Sequence, residues 1–395
     1  MQRSTDRIRV SHAGTLPREA EFRDRVASSA RGSDELERYV SEAVTAVVAK
    51  QAEVGIDIGN DGEFAKHEGF HRYAVSRIGG LERRASEVPQ RPIDLRDRQR
   101  FPGYFSVAPA NPTWRLWSGH AATAAPAPRE ATYVVGPLNY VGKEAAQRDV
   151  ERLKEALAGT DTAGNEMVPY LAAVAPGTLE HLLMNEYYPD EESMLSAIAD
   201  VLHEEYRVIA DAGFILQIDD PDLPDGWQVN PEMTLDEYRR YAEVRVEALN
   251  QALEGIPEEQ VRLHVCWGSP LGPHQSDIAL ADIVDIVLKV HAQCYSVEAA
   301  NPVHEHEWMV WEDTKLPAGK LLMPGVIGHS SLHIEHPELV AQRLMRFAEV
   351  VGRENVIAGT DCGLGSRVPH AEIAWAKFAS LVEGARLASE RLWRQ

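Results

Sequence analysis

Two short runs carry residue types at spacings that chemistry can use. His264 and Cys266 lie two apart at the end of Val261-Arg262-Leu263-His264-Val265-Cys266. Residues two apart on a strand project from one face, so this imidazole and thiol can reach a single ion together. Thr360-Asp361-Cys362-Gly363 ends another apolar run with a second thiol, and between the two, Glu298 closes a third. One imidazole, two thiols and one carboxylate make a tetrahedral zinc donor set. Copper or an iron–sulfur cluster calls for a softer or more cysteine-rich one. Each residue also has a plainer reading: Cys266 and Cys362 as buried core thiols, Glu298 as a helix cap or ion-pair partner.

A free thiol is mostly protonated at neutral pH, and the thiolate is the nucleophile. Coordination to Zn²⁺ removes that proton. Two thiolates and a carboxylate outweigh the charge of the ion, which keeps an incoming sulfur electron-rich enough to attack carbon. A set of three histidines would instead suit activation of water. The donor types therefore favour alkyl transfer to sulfur over hydrolysis.

These residues need a scaffold that brings separate chain segments to one edge. Apolar residues recur at helical spacing over 35–53, 191–212, 235–253 and 337–351, and each stretch feeds a short β-branched run. Helix then strand, repeated, predicts parallel strands and an α/β fold. Candidate strands are 8–13, 56–59, 132–135, 214–218, 261–266, 295–298, 321–327 and 355–359, eight in all, the number that closes a (β/α)₈ TIM barrel. A ninth apolar run, 168–175, is read as an inserted element, and an open doubly wound sheet is the alternative architecture. No glycine-rich nucleotide loop follows any of these strands. Residues 1–395 read as a single catalytic barrel domain. Within it, 79–130 is expected to be an inserted lid, being rich in proline and carrying Phe101, Tyr104, Phe105, Trp114 and Trp117.

Forty basic against 61 acidic residues give a net charge of −21, which argues against nucleic acid or an anionic membrane as a partner. The three cysteines are too few for a disulfide framework, no apolar run reaches a spanning length, and the amino terminus lacks a secretory h-region. A cytoplasmic protein acting on small molecules is expected, with homo-oligomerisation left open.

In order along the chain, His12-Ala13-Gly14-Thr15-Leu16-Pro17-Arg18, Asp61-Gly62-Glu63, Gln217-Ile218-Asp219-Asp220-Pro221, His264-x-Cys266 with Glu298, Gly325-Val326-x-x-His329-Ser330 and Asp361-Cys362-Gly363-Leu364 with Arg367 resemble the motifs of the cobalamin-independent methionine synthase family. The resemblance implies a TIM barrel and zinc held by His264, Cys266, Glu298 and Cys362, leaving Cys294 to core packing. It also implies methyl or alkyl transfer to an activated thiol, with a reduced folate as a candidate donor. By the same resemblance Asp219 and Glu63 hold the ammonium of the acceptor, and Gly14 and Thr15 contact its carboxylate. His329 is either a proton donor to the leaving group or a hydrogen-bonded structural histidine. Asp219 and Asp220 also fit a simple turn before Pro221, and His12 is open.

Three departures stand out. The length matches one barrel, without the large amino-terminal half of the plant and bacterial enzymes. The gap from Cys266 to Glu298 is long, and Asn301-Pro302-Val303-His304-Glu305-His306-Glu307-Trp308 is unlike a methionine synthase. If extended, that stretch would turn His304, His306 and Trp308 to one side, toward the pocket or toward solvent. Single-barrel relatives include proteins resembling epoxyalkane:coenzyme M transferase, so a folate-independent epoxide-opening or C–S bond-forming lyase is the alternative enzyme. A non-catalytic zinc barrel is the third reading.

Overall fold

The computed structural model describes residues 1–30, 32–67, 69, 72–85, 95–107, 130–160, 167–268, 272–368 and 370–394. Its strands are β1 (Arg9–Val10), β2 (Ile58–Gly59), β3 (Ile78–Ala85), β4 (Glu130–Tyr140), β5 (Val168–Val174), β6 (Leu183–Asn185), β7 (Ile215–Asp219), β8 (Val261–Val265), β9 (Cys294–Val297), β10 (Leu321–Ile327) and β11 (Ile357–Thr360). Eight of these form one sheet in the order β1-β11-β10-β9-β8-β7-β5-β2, and every pairing is parallel. A parallel bridge between Ser11 and Ile58 joins the two end strands and closes the ring. The chain is a TIM barrel.

One strand of the expected eight is misplaced. Residues 132–135 lie in β4, which pairs with β3 and β6 in a separate three-stranded sheet, and the run starting at Val168 is the true third barrel strand. Burial separates them. β5 is buried on both faces from Tyr170 to Val174, the continuous apolar run of a parallel strand, whereas β4 is a mixed, half-exposed strand.

The helices feed these strands because their ends are marked. Ser33 caps Asp34–Val54 through a bond from the Leu36 amide, and Gly55 ends that helix at φ 98°, a left-handed turn that suits glycine. Thr234 and Glu237 form a capping box at the start of Leu235–Ala252. Inward-facing Ala13, Ile58, Tyr170, Ile215, Cys294, Leu321, Met323 and Ile357 fill the barrel. Among them runs the fully buried Arg262, which bonds Gln217 Oε1 and Ser11 Oγ at 2.8 Å and the His12 carbonyl at 3.2 Å.

The 79–130 segment is less a loop than expected, because its ends belong to the β3–β4 hairpin. Helix Leu95–Arg100 docks on the segments that follow β7 and β8. Arg96 donates to the carbonyls of Trp227, Asn230 and Met233, and Asp97 accepts from the Gln275 and Ser276 amides. This helix therefore sits at the carboxyl end of the barrel strands. Trp114 and Trp117 lie outside the described residues. Among the described residues, no helix is long and apolar enough to cross a membrane.

Candidate metal centre

The candidate donors and substrate-contacting residues lie at or just beyond the carboxyl ends of barrel strands, so they share one rim. β8 supplies His264 and then Cys266, and the register sets Asp219 of β7 and Ser296 of β9 on either side of His264. Ser296 Oγ fixes the ring by a 3.0 Å contact to Nδ1, while Nε2 is buried with no hydrogen-bond partner. Metal-binding histidines are typically held in this way through the nitrogen that does not ligate. A ring nitrogen of His264 and the sulfurs of Cys266 and Cys362 lie within 4.8 Å of one another. Donors of a tetrahedral zinc site are about 3.3–3.8 Å apart, so a small contraction would close these three around an ion.

The two sulfurs divide their acidity. The proximity of Cys266, and then of His264, holds Cys362 well below the usual cysteine range, while Cys362 and burial push Cys266 well above it. Burial pulls His264 down, but Cys362 more than offsets this and leaves it above its ordinary value. Cys362 is thus the ready thiolate, and the most accessible of the three donors.

Glu298 stands beside this trio, not within it. Its carboxylate groups with His329 and Asp361, with one ligand atom from each inside 4.8 Å. Oε1 accepts from the Trp267 amide at 3.2 Å and Oε2 from Asn301 Nδ2 at 2.8 Å. Burial first, then Asp361 and Cys362, push this carboxyl well up. Both Asp361 oxygens are occupied: Oδ1 by the Ala299 and Ala300 amides at 2.8 Å, Oδ2 by Asn301 at 3.3 Å. Asp361 therefore shapes the turn carrying Glu298. His329 is buried, its Nδ1 has no hydrogen-bond partner, and burial holds the ring neutral down to about pH 4.

The other half of the site joins β1, β2 and β7. Thr15 Oγ1 donates to Glu63 Oε2 at 2.6 Å. Glu63 itself has φ 59°, an uncommon left-handed backbone for a non-glycine residue, and a Cβ on Gly14 would meet its Oε1 at 2.5 Å. The Gly365 amide bonds the Thr15 carbonyl at 2.8 Å, which ties this half to the turn bearing Cys362. Asp219 accepts from Gln217 Nε2 at 2.7 Å, and burial lifts it to about 7 against the pull of His264 and with a push from Glu63. His12 has settled partners: Nε2 meets Gln51 Oε1 at 2.9 Å and Nδ1 the Tyr170 hydroxyl at 3.0 Å.

Cys294 packs inside the barrel, its thiol pushed by burial to about 12. Residues 304–308 are not extended. Glu305–Met309 is a 3₁₀ turn, so His304 is buried, stacked on Trp267 at 4.0 Å and bonded to Glu307 at 2.8 Å, while His306 is exposed. Sequence reasoning missed Ser296, Trp267 and Asn301 as partners of the donors. Only Ser296 had a signal, since it falls opposite His264 once β8 and β9 are aligned.

Fold and residues together define a (β/α)₈ barrel with a cluster of candidate metal donors, one imidazole and two thiols, at the carboxyl rim of its strands. The sequence profile described as "Cobalamin-independent synthase, Catalytic domain" matches residues 183–386. The chain belongs to this family. It is 24% identical over 390 residues to a methionine synthase of Saccharolobus solfataricus, covering 97% of this chain and 95% of that protein. A methionine synthase of Thermococcus kodakarensis is 23% identical over 367 residues, covering 92% and 87% respectively. In fold the chain is similar to a B12-independent methionine synthase of Shewanella sp. W3-18-1 solved with selenomethionine. The TM-score is 0.70 at 20% identity, over 98% of this chain and all of that one.

Proposed function

We propose that the chain is a zinc-dependent transferase that moves a methyl group onto the sulfur of a small amino-acid thiol such as homocysteine. The observation that carries the reading is the convergence of His264, Cys266 and Cys362, with the His264 Nε2 buried and unpartnered, on the rim shared with Glu63 and Asp219. Glu298 is the fourth donor by this reading. Zinc held there supplies Lewis acidity, which lowers the pKa of an incoming thiol so that sulfur is presented as the nucleophile.

The chain's own groups do the rest. Glu63 and Asp219 offer carboxyl groups to an ammonium, and Thr15 with Gly14 lies where the acceptor's carboxylate would rest. His329, held neutral by burial, would relay a proton toward the departing group, which must gain the one that the thiol gives up. The helix Leu95–Arg100, docked at the carboxyl end of the barrel, would help to limit water at the rim. A reduced folate is the proposed methyl donor.

The test pairs metal analysis with spectroscopy and a substrate panel. Elemental analysis should find about one zinc per chain. X-ray absorption should count two sulfur neighbours at rest and three after homocysteine is added. Three or four sulfurs at rest, unchanged by any thiol, would make the centre structural and end the proposal. Turnover with an epoxide and not with a methylfolate would replace methyl transfer by C–S bond formation at the same metal.

A further inference from the structure

Asn301 lies where three segments of the rim meet. It is buried, three residues beyond Glu298, and both ends of its amide are used. Nδ2 donates to Glu298 Oε2 at 2.8 Å and to Asp361 Oδ2 at 3.3 Å. Oδ1 accepts from the amides of Val303 at 3.0 Å and His304 at 3.1 Å. That turn seats His304 against the Trp267 ring, and the Trp267 amide returns to Glu298 Oε1. The contacts close a circuit from Glu298 through Asn301, His304 and Trp267, and Trp267 directly follows Cys266 in the chain.

We infer that Asn301 is a positioning residue for the metal centre, fixing which oxygen of Glu298 is offered to the ion and coupling that carboxylate to the strand end that carries Cys266. This rests on the zinc reading above. The bond to Oε2 is the shorter of the two, so Oε2 is anchored and Oε1, with its looser 3.2 Å contact, is the oxygen able to turn toward the three donors. A ligating carboxylate is commonly held through its other oxygen in this manner. A neutral amide is also the residue type that lets two buried carboxyl groups sit side by side. Its single NH₂ serves both Glu298 and Asp361, whereas an acid there would repel both.

Asn301→Ser tests the idea, because a hydroxyl can still accept from the turn amides but is too short to reach Glu298. Zinc affinity by chelator competition should fall 10–100-fold, with an altered visible spectrum for the Co²⁺-substituted protein. In a Glu298→Ala background the same change should cost nothing further, because its effect runs through that carboxylate. A folded Asn301→Ser protein with wild-type zinc affinity and cobalt spectrum overturns the inference. So does an undiminished penalty in the Glu298→Ala background, which would mark a merely structural role. Should the serine variant not fold, Asn301→Asp, isosteric and able to keep the turn, carries the test: an unchanged cobalt spectrum overturns the inference. A wild-type chain that takes up neither ion overturns the zinc reading itself, and this inference with it.

Discussion

Gly325 is none of the donors, yet adding one methyl group there should disturb the metal centre. Gly325 lies on β10 opposite Gly359 of β11. A Cβ at this position would stand 2.6 Å from both the Cα and the backbone nitrogen of Asp361. Neither atom can rotate away, and carbon contacts relax only near 3.5 Å, so β10 and the Asp361–Cys362 turn must part by about 1 Å. Overpacking of this kind costs about 1–3 kcal/mol. The bond from the Asp361 amide to the Ile327 carbonyl, 3.1 Å long, would be lost for about 1 kcal/mol more. Gly325→Ala should therefore lower stability by about 2–4 kcal/mol, read from the urea midpoint. It should also weaken zinc at least about tenfold by chelator competition, since Cys362 moves with Asp361. A variant with wild-type midpoint and zinc affinity would refute the claimed rigidity of this contact.

Cys362→Ser should remove most of the zinc while circular dichroism stays that of the folded barrel, because the sulfur lies on the rim; full occupancy by elemental analysis would sink the assignment. Cys294→Ala should leave zinc in place and cost about 1 kcal/mol of packing, and zinc loss there would contradict its place in the barrel interior. Arg262→Met strips donors from Gln217, Ser11 and the His12 carbonyl, and denaturant titration should show a loss of about 3 kcal/mol; a neutral result would show that these groups repair themselves. Asp225 is raised by burial from 3.8 to about 7, and its Oδ1 has no hydrogen-bond partner. Its folded form therefore favours the proton, and the resulting stability, present near pH 4, is lost as pH rises toward 7. Asp225→Asn should match the wild type near pH 4 and exceed it by about 4 kcal/mol at pH 8, since each unit of the rise is about 1.4 kcal/mol; parallel stability–pH curves would refute this.

Much of the fold was legible because helices here end where their caps say. The 34–54 helix stops at Gly55, and the 337–351 helix has the expected bounds. The misassigned strand shows the limit. Residues 132–135 and 168–175 both read as short apolar runs, and only pairing partners distinguish a barrel stave from a hairpin arm. That His264, Cys266 and Cys362 could come together was legible from residue type and strand period, and the structure brings them within 4.8 Å of one another. The parking of Glu298 against Asn301 and Trp267 was not, because a polar side chain in a turn announces no partner. His304 was misjudged for a similar reason: the alternation assumed an extended chain, and a 3₁₀ turn separates His304 from His306.

The barrel closes at its thinnest point. β1 and β2 have two residues each, and one backbone bridge spans them. Side chains take up the missing ladder: Ser11 Oγ bonds the Ile58 carbonyl, Asp57 receives the Val10 amide, and Thr15 reaches Glu63. A molecule gripping Thr15 on one side and Glu63 on the other would cross this seam as a stitch. The acceptor's arrival would then do mechanical work as well as chemical work, since its own bonds would complete the hoop that holds the staves. Amides flanking the seam should exchange with solvent sooner than those of β7 to β10, and binding of the acceptor should slow them most.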